Sequence, residues 1–501
     1  MIDNRREMGD WQTPLEFATL CCRIISDTYG FMPAHIIEPT CGIGNFIEAA
    51  RNVFVDTPVL GIEINEAYID YLNQRFSEDD LVEIYQANYL QETRPMETTA
   101  AHSTLVLGNP PWVTNSTLSS LGSGNLPEKR NFKGLRGIDA MTGESNFDIC
   151  EWIILHALNT FSGDDDMLAM LCKTSVARNV CIELAKAGAK TACTMLSFDS
   201  KKIFDISAAA CLLICDFRAE ELRICQGDIA EPDVTTDLVF TGKGLREVLP
   251  DEIASFHGSS VLTWRQGVKH DCGRVMELQR TSAGFINKLG ESVCIEDDFI
   301  YPYVKSSKSR HLVIKDDDVT MAVPMTQHII GEDTSHLEAD APLFWQYLQK
   351  HSDLFDARKS SIYRNAPRFA MFGVGDYSYA KYKVAVSGFY KEPVFAIAYG
   401  KKPIMFDDTC YFLPFNNVGD ARVCMLLLNS PSVKRYYSTI AFLDSKRPYS
   451  KKVLSQLDFA AALNSVGING LNDTAEVLGL PFRISNEEFQ QFSVLVSTSL
   501  F

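Results

Sequence analysis

The stretch TLVLGNPPW, residues 104–112, decides which fold and which chemistry this chain is expected to have. Its first five residues form an apolar run that predicts a buried strand, so Asn109 lies where that strand ends. In α/β sheets, ligands bind at this edge. Pro110 and Pro111 remove two backbone donors and stiffen the turn. The Asn109 side chain and the Pro110 carbonyl then supply two acceptors for a planar amino group, and Trp112 offers a flat face for stacking a base. The same residues also fit a plain strand-exit turn.

The bulk composition limits the class of protein. The chain has 501 residues, of which 46% are apolar, so its length predicts roughly two to four domains. No apolar stretch approaches the ~20 residues of a membrane span, and the polar N-terminus does not fit a secretory signal. The 14 cysteines include no Cys-x-x-Cys pair, and many lie in apolar runs, which indicates reduced core residues. We therefore expect a cytoplasmic protein with no membrane partner and no metal site.

The charge distribution bears on the partner. A net charge of −17 argues against a general nucleic-acid binder. It does not exclude a local basic cleft, because distant charges are screened within about 10 Å. Each basic cluster of the second half fits either a phosphate-binding surface or a solvated face. These clusters are Lys305, Lys308 and Arg310; Lys381 and Lys383; and Lys446, Arg447, Lys451 and Lys452.

Helical and strand-like segments alternate from residue 11 to about residue 218. This alternation predicts an α/β domain with a parallel sheet and helices on both faces. The first helix is predicted over 14–26 with Thr13 as its cap, and the Gly- and Ser-rich stretch 116–143 predicts a mobile loop of the kind that forms a lid. Beyond about residue 245, strand-like fragments dominate and helices are few. We expect a domain boundary near Lys243.

A glycine-containing loop, EPTCGIGNF at residues 38–46, joins the first predicted strand to the helix after it. Gly42 and Gly44 let the backbone turn sharply and approach a ligand closely. The start of the helix offers backbone amides to an anionic group. The dinucleotide pattern wants a third glycine where this chain has Ile47, so a dinucleotide cofactor is not expected.

Other strand ends also carry polar residues. Glu63 closes the second predicted strand, 19 positions after the second glycine of that loop, which is the usual place for a carboxylate that takes both ribose hydroxyls. Ile62 and Ile64 can flank an adenine ring, and Asn88-Tyr89 follow the third strand, where a polar side chain can meet the adenine amino group. Together with Asn109, these features stand in the order that a class I methyltransferase needs.

The motifs resemble those of the gamma-class amino-group DNA methyltransferases of the TaqI type, which methylate N6 of adenine. The resemblance runs over most of the chain. It implies a Rossmann-like class I methyltransferase domain with a mixed, mainly parallel sheet over 1–245, followed by an α+β target-recognition domain over 246–501. The implied cofactor is S-adenosylmethionine (SAM). The implied partner is double-stranded DNA, from which the target adenine is flipped, and a cognate restriction endonuclease would act separately.

The resemblance also implies roles for individual residues. Gln12-Thr13-Pro14 resembles the N-terminal motif that helps to hold the methionine end of SAM. Phe204 resembles the aromatic residue that braces the flipped base, and Phe198 is a second candidate. The implied cofactor-binding residues are Thr13, Glu38, Cys41, Gly42, Gly44, Glu63, Ile64, Asn88 and Tyr89. The implied catalytic residues are Asn109, Pro110, Pro111, Trp112 and Phe204.

Two positions depart from the family's pattern, and several substrates stay open. Asn88 stands where the family often has Asp and can still accept a hydrogen bond, without the charge. Trp112 stands where Tyr or Phe is usual and keeps the ability to stack. The open alternatives are cytosine N4 of DNA, an RNA base, a protein glutamine, and a catalytically silent DNA-specificity subunit. The intact Asn109 and Glu63 favour an enzyme, either in a restriction-modification pair or acting alone.

Overall fold

The computed structural model describes residues 11–89, 103–113, 148–242, 244–308 and 311–497. The chain divides into two compact units, Met1–Val248 and Leu249–Phe501. The predicted lid at 116–143, the residue Lys243 at the predicted boundary, Arg310 and the side chain of Lys308 lie outside the described residues.

The first unit is one large sheet with helices packed against it. Its strands are β1 His35–Glu38, β2 Val59–Glu63, β3 Val82–Gln86, β4 Thr104–Gly108, β5 Met167–Lys173, β6 Ala192–Phe198, β7 Ala210–Asp216, β8 Arg223–Asp228, β9 Glu231–Phe240 and β10 Leu245–Glu247. Its helices are α1 Leu15–Arg23, α2 Asn45–Val53, α3 Glu66–Arg75, α4 Ile149–Thr160, α5 Thr174–Ala187 and α6 Ser200–Phe204.

The strand order confirms the predicted fold class of this unit. The ten strands run in the order β10-β9-β8-β6-β7-β5-β4-β1-β2-β3. Strands β1 to β5 pair in parallel, and β7 lies antiparallel between β5 and β6. Every position of β2 and β4 is buried, which explains their unbroken apolar sequences. The result is a Rossmann-like, mixed and mainly parallel sheet.

The first helix differs from its prediction at both ends. α1 begins at Leu15, with Pro14 in the N-cap position and no side-chain cap. After Arg23 the chain continues as a π-helical turn, Ile24–Thr28. The prediction that Thr13 caps this helix is therefore wrong, because the chain enters the helix one residue later, at Pro14. The Thr13 hydroxyl is left buried, with no hydrogen-bond partner in the described part of the chain.

The second unit combines two sheets with a group of helices. The five-stranded sheet has the order β11-β21-β18-β19-β16, and the six-stranded sheet has the order β14-β13-β12-β17-β15-β20. The strands are β11 Arg265–Gln266, β12 Leu278–Thr281, β13 Gly284–Ile286, β14 Ser292–Val293, β15 Ile300–Val304, β16 Val313–Lys315, β17 Met321–Pro324, β18 Tyr382–Ser387, β19 Ala396–Tyr399, β20 Met405–Phe406 and β21 Cys410–Phe415. The α-helices are α7 Asp251–Ala254, α8 Gly273–Met276, α9 Leu337–Asp340, α10 Pro342–Lys350, α11 Ser352–Asp356, α12 Val418–Asn429, α13 Pro431–Ile440, α14 Lys451–Leu454, α15 Phe459–Val477 and α16 Asn486–Ser497.

The expectation of few helices in this unit is wrong. Helix α12 packs against α15, α16 and the strands β18 and β19, and ten of its twelve residues are buried. A helix that is buried on all sides shows no amphipathic period, so its sequence resembles a buried strand. Helix α15 is broken at Gly467, whose φ is +62°. Because the helix is interrupted there, the sequence shows no continuous helical period over its full length. Within the described ranges, none of the helices combines the length and apolar character that a membrane crossing requires.

The cysteines follow their prediction with one exception. All 14 are free thiols, and 13 of them are buried, whereas Cys294 is exposed. Several of the buried thiols lie in strands β5 to β8 and the helices that pack on them, where Cys193 and Cys215 are cross-strand neighbours with sulfur atoms 3.7 Å apart. They behave as small apolar side chains that fill the core.

One lysine of the basic clusters is buried. Lys383 in β18 is 1% exposed. Its ammonium donates hydrogen bonds to the carbonyl oxygens of Ala380, at 3.1 Å, and Ile404, at 2.8 Å. Burial lowers the pKa of Lys383 from its usual 10.5 to about 7. Lys383 therefore belongs to the core of the second unit, and it contributes no positive charge to the surface.

The low pKa of Lys383 predicts how stability depends on pH. Between about pH 7 and 10.5, the unfolded chain keeps the proton on this lysine while the folded unit releases it, so the stability gained from this group rises with pH. Lys383→Met should abolish that rise, whereas Lys381→Met, at an exposed position, should retain it. The free energy of unfolding, measured by denaturant titration between about pH 7 and 10 for the three proteins, checks this. Parallel curves for wild type and Lys383→Met would contradict it.

Candidate active site

The parallel strands bring the predicted site residues to one edge of the first sheet. Strands β3, β2, β1 and β4 are neighbours in that order and run parallel, so their carboxyl ends meet. Glu38 ends β1, Glu63 ends β2, and Asn109 directly follows β4. Asn88 and Tyr89 follow the end of β3 by two and three residues.

The glycine loop is tied to the sheet by its own backbone. The amide of Cys41 donates to the carbonyl of Ile62 at 2.9 Å, and the amide of Gly44 donates to the carbonyl of Cys41 at 2.8 Å. Gly44 is the N-cap of α2 with φ +82°, a left-handed conformation that favours glycine. A Cβ at Gly44 would lie 2.6 Å from the Leu72 side chain. The turn therefore requires glycine both for its conformation and for its close packing on α3.

Glu63 holds this loop against the end of β2. One carboxylate oxygen accepts the amide of Gly42 at 2.8 Å. The other accepts the amides of Ile64, at 2.9 Å, and Asn65, at 2.8 Å. A carboxylate has about four acceptor positions, so these three bonds leave room for little more. Glu63 thus fixes the loop and also presents a negative charge to any ligand at this edge.

The N-terminal segment connects the glycine loop with Asn109. The Gln12 side-chain oxygen accepts the amide of Ile43 at 3.2 Å, and the Asn45 side-chain amide donates to the Thr13 carbonyl at 2.7 Å. On the other side, the Asn109 side-chain amide donates to the Trp11 carbonyl at 2.8 Å. Residues 11–13 are therefore held between the two motifs that the sequence singled out.

Several buried polar atoms of this region have no hydrogen-bond partner among the residues that the structure describes. They lie on the segments that meet at the sheet edge, and they are Thr13 Oγ1, Glu38 Oε2, Thr40 Oγ1, the Tyr89 hydroxyl and Asn109 Oδ1. Leaving one such atom unsatisfied costs about 1–3 kcal/mol. Five of them in one region indicate a site for a polar ligand. Thr40 was missed by the sequence reasoning, although its position between Pro39 and Cys41 in the predicted loop was a usable signal.

The site is strongly acidic. Burial raises the pKa of Glu38 well above its usual value, and the neighbouring Glu63 carboxylate raises it further, while the Ile47 amide and Arg75 oppose the shift. Gly108, with φ +152°, lets β4 pass close to this carboxyl, because a Cβ there would lie 3.2 Å from the Glu38 side chain. A cationic ligand would relieve the repulsion between the two acids.

Aromatic rings surround the turn after β4. Trp112 is 7% exposed, and its indole N–H donates to the Leu171 carbonyl at 3.4 Å. Its ring meets Phe204 edge-on, with centroids 5.6 Å apart. Phe204 lies 6.1 Å from Phe198, which in turn lies 4.9 Å from Phe17. The structure therefore brings both aromatic candidates to the Asn109 motif, with the Trp112 ring turned to Phe204 and largely covered.

The residues expected to read adenine occupy different environments. Tyr89 is buried and meets His156 edge-on, with centroids 5.3 Å apart, while Asn88 is half-buried. Ile64 is half exposed, whereas Ile62 is completely buried in β2. The expectation that Ile62 flanks an adenine ring is wrong, because the side chain belongs to the sheet core. Among the described residues, no group of three or more His, Cys, Asp or Glu side chains is placed to hold a metal ion.

Known proteins resemble this chain over part or nearly all of its length. No family model matches the chain. The type II methyltransferase M.NspV of Nostoc sp. is 39% identical over 467 residues, which cover 90% of this chain and 96% of M.NspV. The type II methyltransferase M.CvrRI of Paramecium bursaria Chlorella virus XZ-6E is 24% identical over 172 residues, which cover 34% of this chain and 38% of M.CvrRI.

A solved structure extends the similarity to the fold of the whole chain. The type IIL restriction-modification enzyme MmeI, solved in complex with DNA, matches with a TM-score of 0.55 at 13% identity. The match covers 97% of this chain and 73% of MmeI. At that identity, the similarity to MmeI shows a shared fold and nothing more. The similarity to M.NspV is high enough, and covers enough of both chains, to show a shared family. The chain therefore belongs to the type II methyltransferases.

Proposed function

We propose that this protein transfers a methyl group from SAM to N6 of adenine within a specific sequence of double-stranded DNA, as the modification enzyme of a restriction-modification system. The proposal rests on the buried side-chain oxygen of Asn109 at the carboxyl end of β4, which has no hydrogen-bond partner within the described ranges. An exocyclic amino group has the hydrogens that such an acceptor needs.

The geometry of Asn109 determines which of its atoms is available. Its Nδ2 is engaged with the Trp11 carbonyl, so Oδ1 is left to accept a hydrogen from the target. The Pro110 carbonyl is the second acceptor. Together they would draw the nitrogen lone pair out of conjugation with the ring, which makes the nitrogen a nucleophile. Most of the rate gain would come from positioning and from acceptors aimed at developing positive charge.

The residues of the acidic edge fit SAM as the cofactor. SAM is a sulfonium that also carries an ammonium group, and Glu38 with Glu63 would balance these charges. The Thr13 and Thr40 hydroxyls and Glu38 Oε2 lack partners among the described residues and can bond the amino-acid end, whereas Glu63, Ile64, Asn88 and Tyr89 would hold the ribose and adenine. Cys41, Gly42 and Gly44 would shape the loop. When bound, SAM supplies the electrophilic methyl group.

The aromatic residues would hold the target base outside the duplex. An adenine inside the double helix cannot reach Asn109, so it must be flipped out. Phe204 and Trp112 would brace it, and because the Trp112 ring is buried against Phe204, their rings would separate to admit the base. Cytosine N4 is the second candidate, since the same acceptors fit its amino group. An RNA base, a protein glutamine or a silent subunit is less consistent with a near full-length similarity to a type II methyltransferase.

The second unit would bind the duplex and read its sequence. Lys446, Lys451 and Lys452 are exposed, and they make no ion pair among the described residues. Lys305 instead pairs with Glu277 at 2.9 Å, and Arg447 stacks on Phe389 and bonds the Asp408 carbonyl. Lys381 is exposed too but lies over the Tyr382 ring, so these three lysines are the described residues of the predicted basic clusters that are most available to phosphates. A cognate endonuclease would recognise the same sequence separately.

The proposed reaction can be tested on DNA from cells that express the protein. Modified-base sequencing should find N6-methyladenine in one short sequence context, and nucleoside mass spectrometry should find the same base. N4-methylcytosine in that DNA would establish the second candidate instead. The absence of any methylated base, with purified protein and SAM also inactive on that DNA, would contradict both.

The Asn109 acceptor is tested by substitution. Asn109→Ala should slow single-turnover methylation about a hundredfold or more, because one aimed hydrogen-bond partner is lost, and should change SAM affinity little. Asn159→Ala, at an exposed position of α4, is the matched control and should keep the wild-type rate. If Asn109→Ala transfers methyl groups as fast as this control, Asn109 is not the acceptor.

The role of Glu63 is tested through cofactor affinity. Glu63→Gln should weaken SAM binding by about 1.5–3 kcal/mol, the scale of charge-assisted hydrogen bonds, since the charge and part of the loop anchoring are lost. Glu66→Gln, an identical change at an exposed position three residues away, should have no effect. Isothermal calorimetry with SAM measures both, and equal affinities for the two variants would remove Glu63 from the site.

The DNA-binding role of the second unit predicts a change in salt dependence. Replacing Lys446, Lys451 and Lys452 with alanine should weaken DNA of any sequence and reduce the slope of log affinity against log salt by about 0.9 per lost phosphate contact. A triple alanine variant at the exposed Lys315, Lys359 and Lys401 changes the net charge equally and serves as the control. Identical slopes for both triple variants would place the phosphate contacts elsewhere.

A further inference from the structure

A lysine of the neighbouring strand β5, Lys173, holds the turn after β4 by hydrogen bonding. Lys173 donates hydrogen bonds from its ammonium to the Trp112 carbonyl, at 3.3 Å, and to an Asp148 carboxylate oxygen, at 2.6 Å. Pro110 and Pro111 have no N–H, so this part of the turn cannot anchor itself through backbone donors. The side-chain ammonium supplies a donor that the motif itself lacks.

The sheet places Lys173 beside the turn. It is the last residue of β5, and β5 pairs in parallel with β4 up to Gly108 opposite Met170. The chain of β5 therefore continues for three residues next to the turn after Gly108. Within those residues, Leu171 also accepts the indole N–H of Trp112. Two successive contacts thus hold Trp112 to the end of β5.

Asp148 connects the same lysine to helix α4. Its carboxylate caps that helix by accepting the amide of Cys150 at 3.1 Å, and the neighbouring amide, of Ile149, donates to the Val113 carbonyl at 2.9 Å. The Asp148 side chain is 11% exposed and that of Lys173 is 27% exposed. Charges this far withdrawn from water interact more strongly than surface pairs, so the lysine has a defined position.

We propose that Lys173, oriented by Asp148, is a positioning residue for methyl transfer: by holding the Trp112 carbonyl, it aims the Asn109 side-chain oxygen and the Trp112 ring at the target base. The inference rests on the proposed function and adds a residue to it. Among the described residues, the Lys173 ammonium bonds the Trp112 carbonyl and Asp148, so it acts through the turn.

The charges of Lys173 and Asp148 determine which variants can separate the positioning role from a loss of stability. Burial raises the pKa of Asp148 above its usual value, and Lys173 opposes that shift. Removing Lys173 alone would leave a partly buried acid without its partner. The double variant Lys173→Met with Asp148→Asn removes both charges, and the amide oxygen that replaces the carboxylate can still cap α4. Asp148→Asn alone keeps the lysine donor, and Lys173→Arg keeps both charge and donor.

Methylation kinetics provide the first test. The double variant should slow single-turnover methyl transfer to duplex DNA about tenfold or more, because small misplacements of reacting groups are costly, with SAM affinity and melting temperature close to wild type. Asp148→Asn and Lys173→Arg should lose less. The control is the Lys186–Glu183 pair of α5, with atoms 2.6 Å apart, changed in the same way to Lys186→Met with Glu183→Gln. A wild-type rate in the double variant, or a rate loss accompanied by an equal loss of SAM affinity, overturns the proposal.

Fluorine NMR provides a test that does not depend on the reaction. The chain has five tryptophans, and in protein labelled with 5-fluorotryptophan the Trp112 resonance is assigned from Trp112→Phe. The double variant should shift or broaden that resonance, whereas the α5 control should leave it in place. An unchanged Trp112 resonance overturns the positioning role. If wild-type protein transfers no methyl group to DNA, the proposed function fails, and the NMR result still decides whether Lys173 fixes the turn.

Discussion

Parallel pairing of β3, β2, β1 and β4 is the constraint on which the site depends. Parallel strands end at the same edge of a sheet. Residues that are far apart in sequence therefore meet there because of the strand pairing itself, and no additional contact is needed to bring them together. Glu38, Glu63 and Asn109 share that edge because each ends or follows one of these strands. The same constraint extends to β5, whose last residue reaches the turn of β4.

Hydrogen bonds between side chains and backbone further order the residues at this edge. Glu63 satisfies three amides around the glycine loop, and the Asn109 amide nitrogen satisfies the Trp11 carbonyl. These bonds are internal and make the edge rigid before any ligand arrives. Asn109 Oδ1, which has no partner among the described residues, is then held in place by the bond that Nδ2 of the same side chain makes. Such preorganisation lowers the cost of binding, because little has to be ordered at that moment.

Much of the first unit could be predicted from the sequence, and the reasons are physical. Fully buried strands such as β2 and β4 have largely apolar sequences, and Pro110 and Pro111 mark the turn after β4. Glu63 and Asn109 are visible because they end such runs. Thr40 was not selected, because sequence does not reveal which hydroxyl lacks a partner. The contact between Lys173 and the Trp112 carbonyl, 61 residues apart, depends on the pairing of β4 with β5. In the second unit, Lys383 was expected at the surface but is buried although it is a lysine. Helix α12 was not predicted because it is buried on all sides, so its sequence has no amphipathic period.

The distribution of thiols leaves one cysteine accessible for covalent labelling. Cys294 is exposed, whereas the other 13 cysteines are buried and therefore shielded from thiol-directed reagents. A maleimide dye added to the native protein should attach at one position, on the second unit, without any engineered cysteine. Such a label would report encounters of that unit with other macromolecules by fluorescence anisotropy. It would also report unfolding, since further dye incorporation would require the buried thiols to become accessible.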